Sequence, residues 1–244
     1  MSSPRFYCPS PLSANQTLPL PDALTHHAVR VLRLKNNTPI VLFDGSGGQY
    51  DTILEIDGKQ ACARLGEKNP VERELPGTLT LVQGLASGDK MDWIIEKAVE
   101  LGVHRIVPIA ARRSVLQLSG PRLEKRLQHW EKIVKSASEQ CGRNRLAQIN
   151  TPVSLAEFLN QGTPDTKALL CHPEANLSLA QAISGTTCQN LTILIGPEGG
   201  WSDDELAIAE KKGATRITFG SRVLRTETAG VAMVAAISAL KRWN

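Results

Sequence analysis

Leu191-Thr-Ile-Leu-Ile-Gly-Pro-Glu-Gly-Gly-Trp-Ser-Asp-Asp-Glu-Leu206 decides the fold, and Phe219-Gly-Ser-Arg-Val-Leu-Arg-Thr-Glu-Thr-Ala229 answers it. Each stretch carries a short apolar strand into a glycine-containing loop and then into a helix. Leu191 to Ile195 is a continuous apolar run, the pattern of a strand buried on both faces. Pro197 removes a donor and stops the strand. Gly199 and Gly200 let a ligand approach bare main chain. Ser202 with Glu205 three residues on is a capping box, and the helix runs to Lys211-Lys212-Gly213, cations first and glycine beyond. Two such loops side by side suit a small, flat, polar ligand, so the C-terminal half is expected to hold a cofactor pocket. An ordinary tight turn is the competing account of Gly199-Gly200 taken alone.

Strands are expected at 79–85, 105–110, 168–171, 191–195 and 216–219. Helices are expected at 89–101, 121–141, 154–159, 177–183, 202–212 and 226–243. The alternation implies an α/β domain with a parallel sheet covered on both faces, whose ligands sit at the carboxyl ends of strands, where His172, Gly196 and Gly220 fall. Residues 1 to about 70 read differently. Ile40–Phe43, the glycine turn 44–48, Gln49–Ile56, the turn Asp57-Gly58 and Gln60–Leu65 are strand, turn, strand, turn, strand, as in a small barrel. A helix is expected over Asp22–Leu34, with Val29, Leu32 and Leu34 packing inward. Residues 71–77 are charged, proline-containing and aperiodic. They read as a linker between a domain over 1–70 and one over 78–244.

Composition is that of an ordinary globular chain: 244 residues, 41% hydrophobic, 21% charged, net charge +4. The mild excess of base permits RNA as a partner without demanding it. Five scattered cysteines with no CxxC pair point to a reducing compartment rather than to disulfides or zinc. No signal-peptide pattern opens the chain, and no apolar run reaches the roughly 18 residues of a membrane span. A cytoplasmic location is therefore expected. The known phosphate, dinucleotide and serine-hydrolase loop motifs do not match, and no His/Asp/Glu cluster suggests a metal.

The polar residues that remain are basic and amide-bearing. Gln140, Arg143 and Asn144 close a long helix and offer contacts to RNA, or simply end the helix at Gly142 with cations favouring its dipole. Arg222, Arg225 and Glu227 flank the second loop. A cation at a helix N-terminus is unfavourable unless negative charge lies near it, or unless it pairs with Glu227. Arg30 and Arg33 fall on one face of the expected N-terminal helix, as an RNA grip or as a solvated surface. His26 and His27 read as structural or surface residues.

Four blocks, Gly196-Pro-Glu-Gly-Gly200, Arg222-Val-Leu-Arg-Thr-Glu-Thr228, Glu139-Gln-Cys-Gly-Arg-Asn144 and His27-Ala-Val-Arg-Val-Leu-Arg33, together resemble the bacterial 16S ribosomal RNA uridine N3-methyltransferases of the SPOUT superfamily. The resemblance runs through essentially the whole chain, in order. It implies a knotted (trefoil) SPOUT methyltransferase domain behind a small PUA-like β-barrel, a homodimer, and S-adenosyl-L-methionine as cofactor. It also implies methylation of N3 of a uridine in 16S ribosomal RNA of the small subunit. The methyl leaves a sulfonium, so no metal is required. Cofactor contacts are then expected at Leu170, Cys171, His172, Ile195, Gly196, Pro197, Glu198, Gly199, Gly200, Gly220, Val223, Leu224, Arg225 and Thr228. Arg225, with Arg143 and Asn144, is expected to carry catalysis. Glu198 or Glu227 is expected to act as base. RNA contacts are expected at Arg30, Arg33, Gln140, Arg143 and Arg222. Three other readings stand beside it: a methyltransferase of the same superfamily acting on another RNA or position, an RNA-binding protein with a vestigial loop, and a nucleotide-cofactor oxidoreductase.

Overall fold

Alternation builds the first sheet. Tyr50, Thr52 and Leu54 are buried along one strand, and Ala61, Ala63 and Leu65 along the next. They pair antiparallel with small opposite large: Leu54 faces Ala63, and Ile56 faces Ala61. In the computed structural model, residues 3–162 and 165–243 are described. They divide into two units, one of Met1–Glu74 with Ser138–Leu146, the other of Leu75–Ala137 with Ala147–Asn244.

The first unit holds β1 (Arg5–Tyr7), β2 (Thr17–Pro19), β3 (Thr38–Phe43), β4 (Gln49–Asp57) and β5 (Gln60–Asn69) in the order β1-β3-β4-β5-β2. β1 and β2 have three residues each, too few for a period to show in sequence. The expected helix over Asp22–Leu34 is corrected. An α-turn, α1 (Asp22–Thr25), passes into a π-helix over His26–Val31, with Leu32 N donating to the His27 carbonyl five residues back. Arg33 then takes a left-handed φ of 54°. The wider turn and the reversal break the i,i+3 relation, so Arg30 and Arg33 do not share a helical face, although both are exposed. Val29 and Leu34 pack on the core, but Leu32 is 45% exposed.

The expected linker is not free chain. Gly48 N donates to the Glu72 carboxylate, Asn144 Nδ2 to the Val71 carbonyl, and Arg143 to Glu74. Residues 71–74 thus belong to the first unit, and so does the segment 138–146, although it falls inside the domain expected over 78–244.

The second unit carries β6 (Thr78–Gly84), α2 (Lys90–Glu100), β7 (Arg105–Ile109), α3 (Gly120–Cys141, its last residues counted with the first unit), β8 (Gln148–Ile149), α4 (Leu155–Gln161), β9 (Thr166–Cys171), α5 (Leu179–Ile183), β10 (Asn190–Ile195), α6 (Asp203–Lys211), β11 (Thr215–Ile217) and α7 (Thr226–Lys241). The strands pair all parallel in the order β11-β9-β10-β6-β7-β8. β6 and β10 are buried almost throughout because helices cover both faces. Capping boxes at Ser154/Glu157, Ser178/Gln181 and Ser202/Glu205 start α4, α5 and α6. Asp92 fastens α3 to α2, accepting from the fully buried Trp130 Nε1 at 3.0 Å and meeting His129 Nε2 at 2.7 Å. Among the described residues no helix is long and apolar enough to cross a membrane.

Candidate functional site

The carboxyl ends of β9, β10 and β11 open into a cavity of about 580 Å³ within the second unit, the position a parallel sheet favours for ligands. Of the residues expected at a cofactor, Cys171, His172, Ile195, Gly196, Pro197, Glu198, Gly199, Gly200, Val223, Leu224 and Arg225 line it, and so does Arg222, expected to contact RNA. Three others do not. Leu170 is fully buried in the strand core, and Thr228 and Gly220 are exposed outside the wall, the Gly220 carbonyl accepting from Thr218 Oγ1 at 3.0 Å. Arg113, Pro173, Glu174, Trp201, Thr218, Phe219, Thr226 and Ala229, none of them among the expected contacts, complete the wall. Arg113 comes from a loop far away in sequence, and no local pattern marks it. Its Nη1 donates to the Trp201 carbonyl at 3.1 Å and anchors the first loop.

The second loop is nearly free of internal bonding. Between Phe219 and Leu224 the main chain makes one hydrogen bond among the described residues, the one from Thr218 to Gly220. α7 begins at Arg225 with no side-chain cap. A rim of uncommitted amides, leading into an uncapped helix, is what main-chain recognition of a polar ligand needs.

Charge is distributed unevenly. Lys90 Nζ lies 2.9 Å from Glu198 Oε1 and 3.9 Å from Glu227 Oε2, so Lys90, not an arginine, partners both loop carboxylates. Arg222 and Arg225 are exposed and make no ion pair among the described residues. The pairing of Arg225 with Glu227 does not form. Burial raises the affinity of Glu198 for a proton, but donors from Ser87 N, Lys90 and Ser87 Oγ outweigh it and hold the carboxyl at about 2. The expectation that Glu198 serves as base is thereby corrected, because a group so weakly basic accepts protons poorly at neutral pH. Its pKa is depressed. The stabilisation from this cluster is therefore complete above the ordinary carboxylate value and fades only as pH falls toward 2. A carbon-detected NMR titration of Glu198 should show no inflection between pH 4 and 8. A midpoint near 4.5 would contradict the cluster. Burial pushes the Cys171 thiol up to about 11, so it is a neutral wall residue and not a nucleophile.

The second pair of expected catalytic groups lies elsewhere. Arg143 is 3% exposed and grips Glu74 through Nε (3.0 Å) and Nη2 (2.6 Å). Asn144 is fully buried, donating to the Val71 carbonyl at 2.7 Å and accepting from Arg5 Nη2 at 2.7 Å. These bonds lie inside the first unit, and neither residue lines the cavity. They hold residues 71–74 in place. Gln140 is exposed on the last turn of α3. Among the described residues no group of three or more His, Cys, Asp or Glu is placed to bind a metal.

Comparison with known proteins agrees with the geometry. Residues 73–238 match the family model of an RNA methyltransferase domain, and residues 20–65 match that of an RNA methyltransferase PUA domain. Ribosomal RNA small subunit methyltransferase E of Bacillus subtilis is 32% identical over 87% of this chain and 86% of its own. The protein of that name from Synechocystis is 33% identical over 92% and 73%. The crystal structure of the Neisseria gonorrhoeae enzyme of the same name, bound to S-adenosyl methionine, superposes with a TM-score of 0.90 at 36% identity, covering 98% of each chain. A Legionella pneumophila methyltransferase in complex with the same cofactor gives 0.92 at 30% identity, again with 98% of each chain. The chain belongs to the ribosomal RNA small subunit methyltransferase E family of RNA methyltransferases.

Proposed function

We propose that this protein transfers a methyl group from S-adenosylmethionine to N3 of a uridine in 16S ribosomal RNA of the small subunit, as a cytoplasmic homodimer. The observation that carries the reading is the cavity, walled by main chain from two strand-end loops and flanked by two arginines without ion-pair partners. Its volume suits a nucleoside-sized ligand. S-adenosylmethionine supplies an electrophilic methyl carbon. The chain's residues must do the rest. Amides of the second loop and of the first turn of α7 hold polar edges of the cofactor. N3 of uridine carries a proton at neutral pH, and once it is lost, negative charge spreads onto the ring carbonyl oxygens. Arg225 stabilises that charge as it develops, and Arg222 draws the RNA phosphates toward it. Glu227, with one buried oxygen lacking a hydrogen-bond partner, is the remaining loop carboxylate that can take the proton. The target base reaches the cavity unpaired or flipped. Five free cysteines suit a reducing compartment. Val223 and Leu240, 80% and 52% exposed, are apolar surface that a second copy would cover.

Two predictions test the pocket and the RNA grip. A Cβ on Gly199 would lie 2.9 Å from Arg113 Cβ and 3.0 Å from its carbonyl oxygen. Gly199→Val should therefore push the first loop off the Arg113 backbone and weaken cofactor binding by tenfold or more, about 1.4 kcal/mol. Unchanged calorimetric affinity would remove that loop from the site. Arg30 and Arg33, though not on one helical face, are both exposed cations of the PUA unit. Replacing both by alanine should lower RNA affinity and flatten its salt dependence while leaving cofactor affinity intact. An unchanged slope across a salt series would make them a solvated surface.

A further inference from the structure

Gln83, the penultimate residue of β6, is fully buried. Its amide gives both protons away, one to the Gly84 carbonyl at 3.1 Å and one to Thr226 Oγ1 at 2.8 Å. Thr226, the first residue of α7, passes its own hydroxyl proton to the Gly196 carbonyl at 2.6 Å. The direction of this relay is forced. Both ends are carbonyls that only accept, so the single hydroxyl proton goes to Gly196 and the hydroxyl must accept from Gln83. Turning the amide over would set its oxygen against the Gly84 carbonyl. The relay joins the end of β6 to both pocket loops, because Gly196 opens the first and Thr226 closes the second.

The surroundings leave no slack. A Cβ on Gly84 would stand 2.9 Å from the Gly196 carbonyl carbon and nearer still to the Pro197 ring, and one on Gly230 would stand 3.2 Å from Gln83 Oε1. That Oε1 has no hydrogen-bond partner. A leucine would fill the space without an orphaned oxygen, so packing alone does not account for an amide here.

We propose that Gln83 is a positioning residue of the cofactor site. Acting through the Thr226 hydroxyl, it commits the Gly196 carbonyl to α7 and holds the two loops as one rim. The inference rests on the cavity being the cofactor site. The relay also makes a claim about the loops that holds without cofactor, so the two can fail separately.

The test uses the full-length protein with Thr226→Val, which keeps shape and loses the hydroxyl, and Thr226→Ser, which keeps the hydroxyl. Thr226→Val should weaken calorimetric S-adenosylmethionine binding about tenfold. It should raise KM for the cofactor more than it lowers kcat. Without cofactor, it should quicken amide hydrogen exchange in both Gly196–Gly200 and Ser221–Arg225. Thr226→Ser should stay within about twofold of wild type in affinity, as expected when the hydrogen bond is retained. If Thr226→Val does not fold, Gln83→Met is read the same way. Wild-type affinity and exchange in a folded Thr226→Val protein, or a serine variant as impaired as the valine one, would overturn the proposal. Faster exchange in both loops of a protein whose wild type binds no cofactor would support the relay and count against the pocket reading.

Discussion

Arg225→Ala should lower methyl transfer at saturating substrates by about 10²- to 10³-fold, the usual loss when a preorganised donor to developing negative charge is removed. The fold should not notice. Arg225 is exposed, makes no ion pair, and stands as N-cap of α7 without capping it by its side chain. Its positive charge at a helix N-terminus is mildly unfavourable, so alanine should leave the melting temperature unchanged or slightly raised. Cofactor affinity should change by less than about threefold, under roughly 1 kcal/mol, because in the proposed function it is main chain of this loop that holds the cofactor. Turnover within threefold of wild type would remove Arg225 from the transition state. A large loss of cofactor affinity with unchanged turnover at saturation would make it a binding residue instead.

Arg143→Ala should act in the opposite way, on stability first. The guanidinium is almost wholly buried and paired twice with Glu74, itself nearly buried. Removing one partner strips both of these bonds from the other, nearly buried charge, which costs about 3–5 kcal/mol. Glu74→Ala should cost a similar amount. The double substitution should cost much less than the sum, since no lone charge remains. Urea unfolding of the three variants measures this directly. A stable, folded Arg143→Ala protein that loses RNA affinity would restore the arginine to the RNA surface.

These two arginines show which features a sequence carries. Arg225 sits in a strand-loop-helix pattern whose periodicity and punctuation are local, so its place beside the cavity follows from its neighbours in the chain. The same local logic placed β6, β10, α6 and α7 within a residue or two. Arg143 and Asn144 look alike in sequence, polar residues after a glycine stop, but their partners Glu74, Val71 and Arg5 lie about seventy residues or more away in the chain. No spacing within the segment foretells burial by such partners. Arg113 and Gln83 escaped for the same reason: one anchors a loop 88 positions on, the other a helix start 143 positions on. The π-helix at His26–Val31 defeated a 3.6-residue period, and the two three-residue strands fall below any period. The trefoil threading and the choice of N3 of uridine enter through resemblance to a family, not through propensity or pattern.

Analysis of the reaction product identifies the methylated atom directly. The purified protein is incubated with S-adenosylmethionine and small ribosomal subunits from cells lacking this activity, and the RNA is digested and mapped by mass spectrometry. One new methyl group is expected, on N3 of a single uridine of 16S ribosomal RNA, formed at least about a hundredfold more slowly when Arg225→Ala replaces the wild type. A methyl group on ribose, on another base or in another RNA, or no methylation by a protein that binds the cofactor, would contradict it.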